Sequence, residues 1–159
     1  MNYDNLAHSE VSQRYKTGAN WFYWIAGLTL VTSLIAAFGG GIRFLISLGS
    51  TQVIDGLAAA LSTQVGGAAK VVAMVLDLVV VGIFILFGLL ANKKLLWAYI
   101  IGMVAFAFDG LVSLVGGDII GVVAHAVVLF FLFRGFQAGR ELLELEKHME
   151  PAPPPPATF

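Results

Sequence analysis

Three ionisable residues stand inside runs that are otherwise almost purely apolar. They are Asp77 in VVAMVLDLVVVGIFILFGLLA, Asp109 in LLWAYIIGMVAFAFDGLVSLV and His125 in IIGVVAHAVVLFFLFRGF. Two carboxyl groups and an imidazole are the side chains of proton and cation paths and of oxygen/nitrogen metal sites. In a bilayer each is expensive: even the mildest scale charges roughly 2.5–3.5 kcal/mol for an ionised Asp at a helix centre. Residues that costly are expected to turn inward and meet. A protonated Asp that bonds a backbone carbonyl or His125 would fix helix register, a structural role. The same groups could carry protons or cations. Asp77, Asp109 and His125 could also hold a divalent metal. His125, flanked by Gly121 and Ala124, has room to serve as axial ligand of haem or of a chlorophyll-type pigment. The structural role, with no cofactor, is the leading expectation. No H-E-x-x-H, G-x-S-x-G or P-loop pattern occurs, so no reaction class can be named and a non-enzymatic protein is expected.

The spacing supports a common level. Asp77 lies seven residues after Lys70, Asp109 nine before Asp118, and His125 seven after Asp118. At 1.5 Å per residue each sits roughly 10 Å below the same boundary. The faces agree as well. Gly102, Ala105, Asp109, Ser113 and Gly116 form a stripe of small residues, the kind that lets helices approach in lipid. Gly121, His125 and Val128 share a second stripe, and Thr29, Ser33, Ala36 and Ala37 a third. Ala73, Asp77, Val81, Phe84 and Gly88 form a fourth, with Phe84 as the bulky exception. Ser33 and Ser113 are therefore expected to join the cluster.

The elements that position these residues follow from composition. The chain has 159 residues, no cysteine, a net charge of −1, and only 12% charged residues against 58% hydrophobic. A soluble domain carries about twice that charge, ~25%. Disordered chains, disulfide scaffolds, thiolate metal sites and basic nucleic-acid binders are excluded, and no nucleic-acid partner is expected. Continuous apolar runs, rather than alternating ones, exclude a β-barrel. The expected fold is an all-α integral membrane protein, a bundle of four transmembrane helices near 20–41, 71–91, 95–115 and 119–135. The first run is read as a span rather than a cleaved signal peptide, because a long polar stretch precedes it.

Placing the turn Asn92-Lys93-Lys94 in the cytoplasm puts both termini there. Arg14, Lys16, Lys93, Lys94, Arg134, Arg140 and Lys147 are then inside, and only Arg43 and Lys70 outside, a positive-inside bias. Trp21, Phe22, Tyr23 and Trp24 would anchor the cytoplasmic interface, with Trp97 and Tyr99 at a similar depth. A multi-pass protein of a bacterial cytoplasmic (inner) membrane is expected.

Four segments lie outside the spans. Residues 1–19 are polar, with His8 and Glu10 read as solvated. Residues 42–70 resemble an amphipathic helix on the outer face, with Ser50 as N-cap and Val53, Ile54, Leu57 and Leu61 at helical spacing. In 136–150, Ala138, Leu142, Leu145 and Met149 form an a/d-like seam, read as an interface for a partner or a second copy of the chain. The tail 151–159, PAPPPPATF, is a polyproline II segment. The expected partners are the lipid bilayer and other membrane subunits or a homo-oligomer joined through the C-terminal helix. The expected function is an accessory or structural subunit of a membrane assembly, with a proton- or cation-coupled transporter using Asp77, Asp109 and His125 as the rival.

Overall fold

The computed structural model describes residues 3–37, 56 and 68–149. Among them it contains four helices and no strand: α1 (Tyr3–Ala37), α2 (Ala68–Asn92), α3 (Leu96–Val115) and α4 (Ile119–Met149). Three stretches are long and apolar enough to cross a membrane: Val71–Asn92, Leu96–Val115 and Ile119–His148. The outer amphipathic helix expected within 42–70, apart from Gly56 and the residues that open α2, and the proline tail 151–159 lie outside the described residues.

Two tight turns dictate the topology. At the end of α2, Lys94 N–H donates to Ala91 O at 2.9 Å and Leu95 N–H to Leu90 O at 3.3 Å. This paired closure needs a left-handed residue, and Lys94 adopts φ 62° to supply it. At the end of α3 the same closure recurs. Gly117 at φ +73° donates to Leu114 O, and Asp118 N–H to Ser113 O, both at 3.0 Å. Asp118 then starts α4 by accepting from Gly121 N–H at 2.9 Å, an N-cap bond. Such short links allow only antiparallel neighbours, so α2–α3 and α3–α4 are hairpins.

Helix α1 closes the ring by packing antiparallel against both α2 and α4. Tyr15 Oη donates to Ala91 O of α2, and the Phe22 ring packs on Phe84 with centroids 6.5 Å apart. On the other side Trp21 stacks on Phe131 of α4 at 5.0 Å and 12°. Where α1 crosses α4, Gly18 and Gly135 face each other. A Cβ on either would collide with the other's backbone and with Tyr99 Oη. Only glycine permits this approach.

The solvent-side and core-side compositions are inverted relative to a soluble bundle. Val71, Val75, Leu78, Ile83, Leu86 and Leu89 of α2 are exposed while Asp77 is buried. Ile101, Val104, Phe108 and Leu111 of α3 are exposed while Asp109 is buried. An apolar exterior this continuous suits hydrocarbon rather than water.

Several expectations are corrected. Residues 3–19 are not a separate surface segment, because they form the first half of α1, where Val11, Tyr15 and Ala19 are buried. His8 is not simply solvated: its Nε2 lies 3.4 Å from Glu146 Oε1, which also pairs with Lys94 Nζ. Residues 136–149 are no separate helix but the continuation of α4. Their seam is filled within the chain. Ala138 and Leu142 are buried in the core and Leu145 packs against it, because the lengthened α1 covers them. The side chain of Met149 lies outside the described residues. Nor do Trp21 to Trp24 form one interfacial belt: Phe22 is fully buried while Trp24 is exposed. Consecutive helical residues are 100° apart and cannot share a face. Tyr99 is likewise core, not anchor.

Candidate functional site

The buried polar side chains of the four helices gather toward one end of the bundle. Thr29, Thr32 and Ser33 of α1, Asp77 of α2, Asp109 and Ser113 of α3, and His125 of α4 are each at most 6% exposed. Helix register explains the level. Tyr15 meets Ala91, and Phe22, seven residues on, meets Phe84, seven residues back. One more heptad brings Thr29 level with Asp77. From the Gly18–Gly135 crossing, three helical turns bring Thr29 level with Ala124, beside His125. All four helices thus contribute to one polar layer.

Its centre is a pair. His125 Nε2 lies 2.9 Å from Asp109 Oδ2, with both side chains at most 5% exposed. On the far side of the ring, Nδ1 lies 2.7 Å from the Gly121 carbonyl oxygen, one turn earlier on α4. A carbonyl only accepts, so Nδ1 is the donor and carries a hydrogen. The remaining contact, Nε2 to Oδ2, therefore holds one further proton shared between imidazole and carboxyl. Whichever group holds it, the pair has no net charge, which removes most of the cost of placing either group alone in an apolar layer. The Phe106 ring covers the imidazole face, with centroids 4.5 Å apart and 21° between planes. Gly110 packs beside His125, leaving only close-contact space for a Cβ.

The remaining expected residues take separate places. Ser113 Oγ donates to the Asp109 carbonyl of its own helix at 3.3 Å, and Thr32 Oγ1 to Leu28 O at 2.9 Å. Ser33 Oγ is buried and makes no hydrogen bond among the described residues. The two serines thus lie in the polar layer without bonding the Asp109–His125 pair. Asp77 is 1% exposed, and Thr29, Asp77 and Asp109 each engage a further partner. No group of three His, Cys, Asp or Glu side chains among the described residues is arranged to hold a metal ion. Both imidazole nitrogens of His125 are committed, one to Gly121 and one to Asp109, and its face is stacked. Neither a metal nor the axial position of a haem or pigment finds a lone pair there without displacing Asp109.

Sequence reasoning left Thr29, Thr32, Phe106 and Asp118 out of the site. Thr29 stood in a small-residue stripe, and its place one heptad beyond Phe22 was the available signal. Phe106 was indistinguishable from lipid-facing phenylalanines until α3 met α4. Asp118 marked a charge boundary, and its position just before an apolar run was the sign of a helix cap.

Below the polar layer the core turns aromatic. Phe106 meets Phe84 edge-on at 6.2 Å, Phe84 meets Phe87 at 6.0 Å, and Phe22 meets Tyr99 at 5.3 Å. Tyr15 follows, 5.7 Å from Tyr99. Burial pushes the Tyr15 phenol up to about 12, so it stays a donor to Ala91 O at any ordinary pH.

The chain matches no family model, no curated protein and no solved structure. The functional reading rests on its own geometry.

Proposed function

We propose that this is an integral membrane protein crossing the bilayer four times, with α1 from residue 20 onward as the span beyond the three apolar helices. Both termini lie on the cytoplasmic side of a bacterial inner membrane. The protein acts by contact, as a non-enzymatic structural or accessory subunit, and its polar layer holds four helices in one register. The observation that supports this most directly is the aromatic layer beneath the polar one. Phe22, Phe84, Phe87, Phe106 and Tyr99 pack in tilted and edge-to-face pairs across the core. A proton or cation leaving Asp109 toward the Lys93–Leu95 turn would have to cross that layer, where Tyr99 is the one of these five side chains with a polar atom.

The rival reading is a proton- or cation-coupled transporter. The shared Asp109–His125 proton favours it, since that proton has two alternative acceptors. The purified chain in proteoliposomes with an imposed pH gradient separates the two. The structural reading expects no proton flux above empty vesicles, and Asp77→Asn and Asp109→Asn proteins that still assemble, because Asn keeps the hydrogen bonding. A flux abolished by Asp109→Asn with assembly intact would establish the transporter instead.

A further inference from the structure

At the opposite end from the polar layer, α1 and α4 enclose a groove of about 410 Å³. Its floor is the Gly18–Gly135 crossing, where the two helices touch backbone to backbone and no side chain rises into the groove. Toward the termini it is lined by Arg14 and Thr17 on α1, and Arg134 reaches it from α4. Toward the polar layer its wall is the stacked pair Trp21 and Phe131. The groove therefore straddles the level at which the outer surface changes from charged to apolar. The exposed side chains of Val127, Phe130 and Phe133 lie on one side of that level on α4, and Arg140 and Glu141 on the other.

The charge within the groove is positive. One acid, the exposed Glu10, lines it together with the two arginines. Arg14 has a distant, exposed partner in Glu141 at 3.9 Å. Arg134 has no carboxylate partner among the described residues. Its guanidinium lies over the Phe130 ring, 5.8 Å from the centroid, which steadies it without neutralising it. A planar guanidinium with free donors that shares a groove with a second one is suited to a phosphate group.

We infer that this groove binds one anionic phospholipid of the inner leaflet, its phosphate between Arg14 and Arg134, its glycerol over the two glycines and an acyl chain along Trp21 and Phe131. The inference rests on the membrane reading and on the orientation that puts Arg14 and Arg134 inside. It goes beyond that reading by assigning a single site and a lipid charge. A loose electrostatic attraction to the leaflet would favour all basic residues alike. A groove with a glycine floor and an aromatic wall selects the two arginines.

Trp21 reports on the site. Trp24 and Trp97 are exposed, so a W24F/W97F protein leaves Trp21 as the sole indole. This protein is reconstituted in nanodiscs containing either brominated phosphatidylglycerol or brominated phosphatidylcholine at equal mole fraction. Bromine quenches indole only at contact. The expected result is stronger quenching by the anionic lipid, with an apparent preference of roughly five-fold per arginine, the size expected for one basic side chain near an anionic surface. Arg134→Gln should remove most of the preference while Arg134→Lys keeps part of it, and quenching by the neutral lipid should persist in both. Equal quenching by the two lipids overturns the lipid site but leaves the membrane reading standing. So does a preference that survives Arg14→Gln and Arg134→Gln together. Displacement by free glycerol phosphate assigns the groove to a soluble anion instead. Absence of Trp21 quenching by either lipid also overturns the site, and absence of quenching of the exposed Trp24 and Trp97 in the unsubstituted protein overturns the membrane reading itself.

Discussion

The two halves of the core are built on different physics. Toward the Gly116–Asp118 turn, seven buried polar side chains gather, and the contact at their centre, His125 with Asp109 and Gly121, is directional hydrogen bonding. Toward the Lys93–Leu95 turn, the core is aromatic and tightly approached, with Gly18 against Gly135 and Tyr99 behind them. In water the aromatic half would dominate, since burying apolar area is the main favourable term. In lipid that term vanishes, because acyl chains are as apolar as phenylalanine. What remains there is close packing and ring geometry, about 0.5–1.5 kcal/mol for an aromatic pair beyond burial. The polar half is the one whose contacts fail if the register slips by a residue. On the proposed reading the comparison teaches a division of labour: the aromatic half brings the helices close, and the polar half penalises misalignment.

The largest expected effect breaks the close approach. Gly135→Leu places a side chain where the Gly18 backbone and Tyr99 Oη already stand. Overpacking of this kind costs ~1–3 kcal/mol even where neighbours can yield, and here backbone must move. We expect α1 to separate from α4 while the α3–α4 hairpin keeps its Asp109–His125 bond. The absence of native cysteine gives a clean assay: an Arg14→Cys/Glu141→Cys protein should be bridged by a short thiol cross-linker, and Gly135→Leu should abolish the bridge. Undiminished cross-linking would show that the crossing is not what holds α1.

A smaller effect tests alignment. Asp109→Ala leaves His125 Nε2 without its partner in a sealed layer, a loss of about 1–3 kcal/mol. Asp109→Asn can donate its amide to the same nitrogen and should cost less than ~1 kcal/mol. Reversible unfolding in mixed SDS micelles would measure both. Equal losses would mean that the hydrogen bond contributes nothing and that only side-chain volume matters.

The smallest effect concerns how the aromatic end is closed. Lys94 occupies a left-handed conformation, which costs a non-glycine residue roughly 1–2 kcal/mol, while its exposed pair with Glu146 returns ~0–1 kcal/mol. Lys94→Gly should therefore be neutral or slightly stabilising. Lys94→Ala keeps the strain, loses the pair and should be slightly destabilising. The same titration orders them, and Lys94→Gly falling below Lys94→Ala would place the importance in the ion pair rather than in the backbone.

Much of the fold was readable without coordinates. The apolar runs located α2 and α3 to within three residues at each end, because a helix in hydrocarbon declares itself by length and composition alone. The small-residue stripes pointed Asp77, Asp109 and His125 inward, where all three are buried. The polar extensions of α1 and α4 were misjudged. Residues 3–19 and 136–149 look polar because each has one buried stripe, Val11-Tyr15-Ala19 or Ala138-Leu142, on an otherwise charged cylinder. Each stripe was legible as helical, but its partner was not, since Tyr15 packs beside Gly139 and His8 pairs with Glu146 from the far end of the chain.

Composition and period thus determined by themselves that the chain is helical, that its exterior is apolar and that its few ionisable residues turn inward. These are properties of one helix and its solvent. Only the tertiary structure decided that Asp109 bonds His125, that the imidazole has no free nitrogen, and that the C-terminal seam is covered by α1. The choice of partner depends on the relative height and rotation of two helices. Asp109 stands on α3 and His125 on α4, Tyr15 on α1 and Gly139 on α4, so no single helix contains either pair.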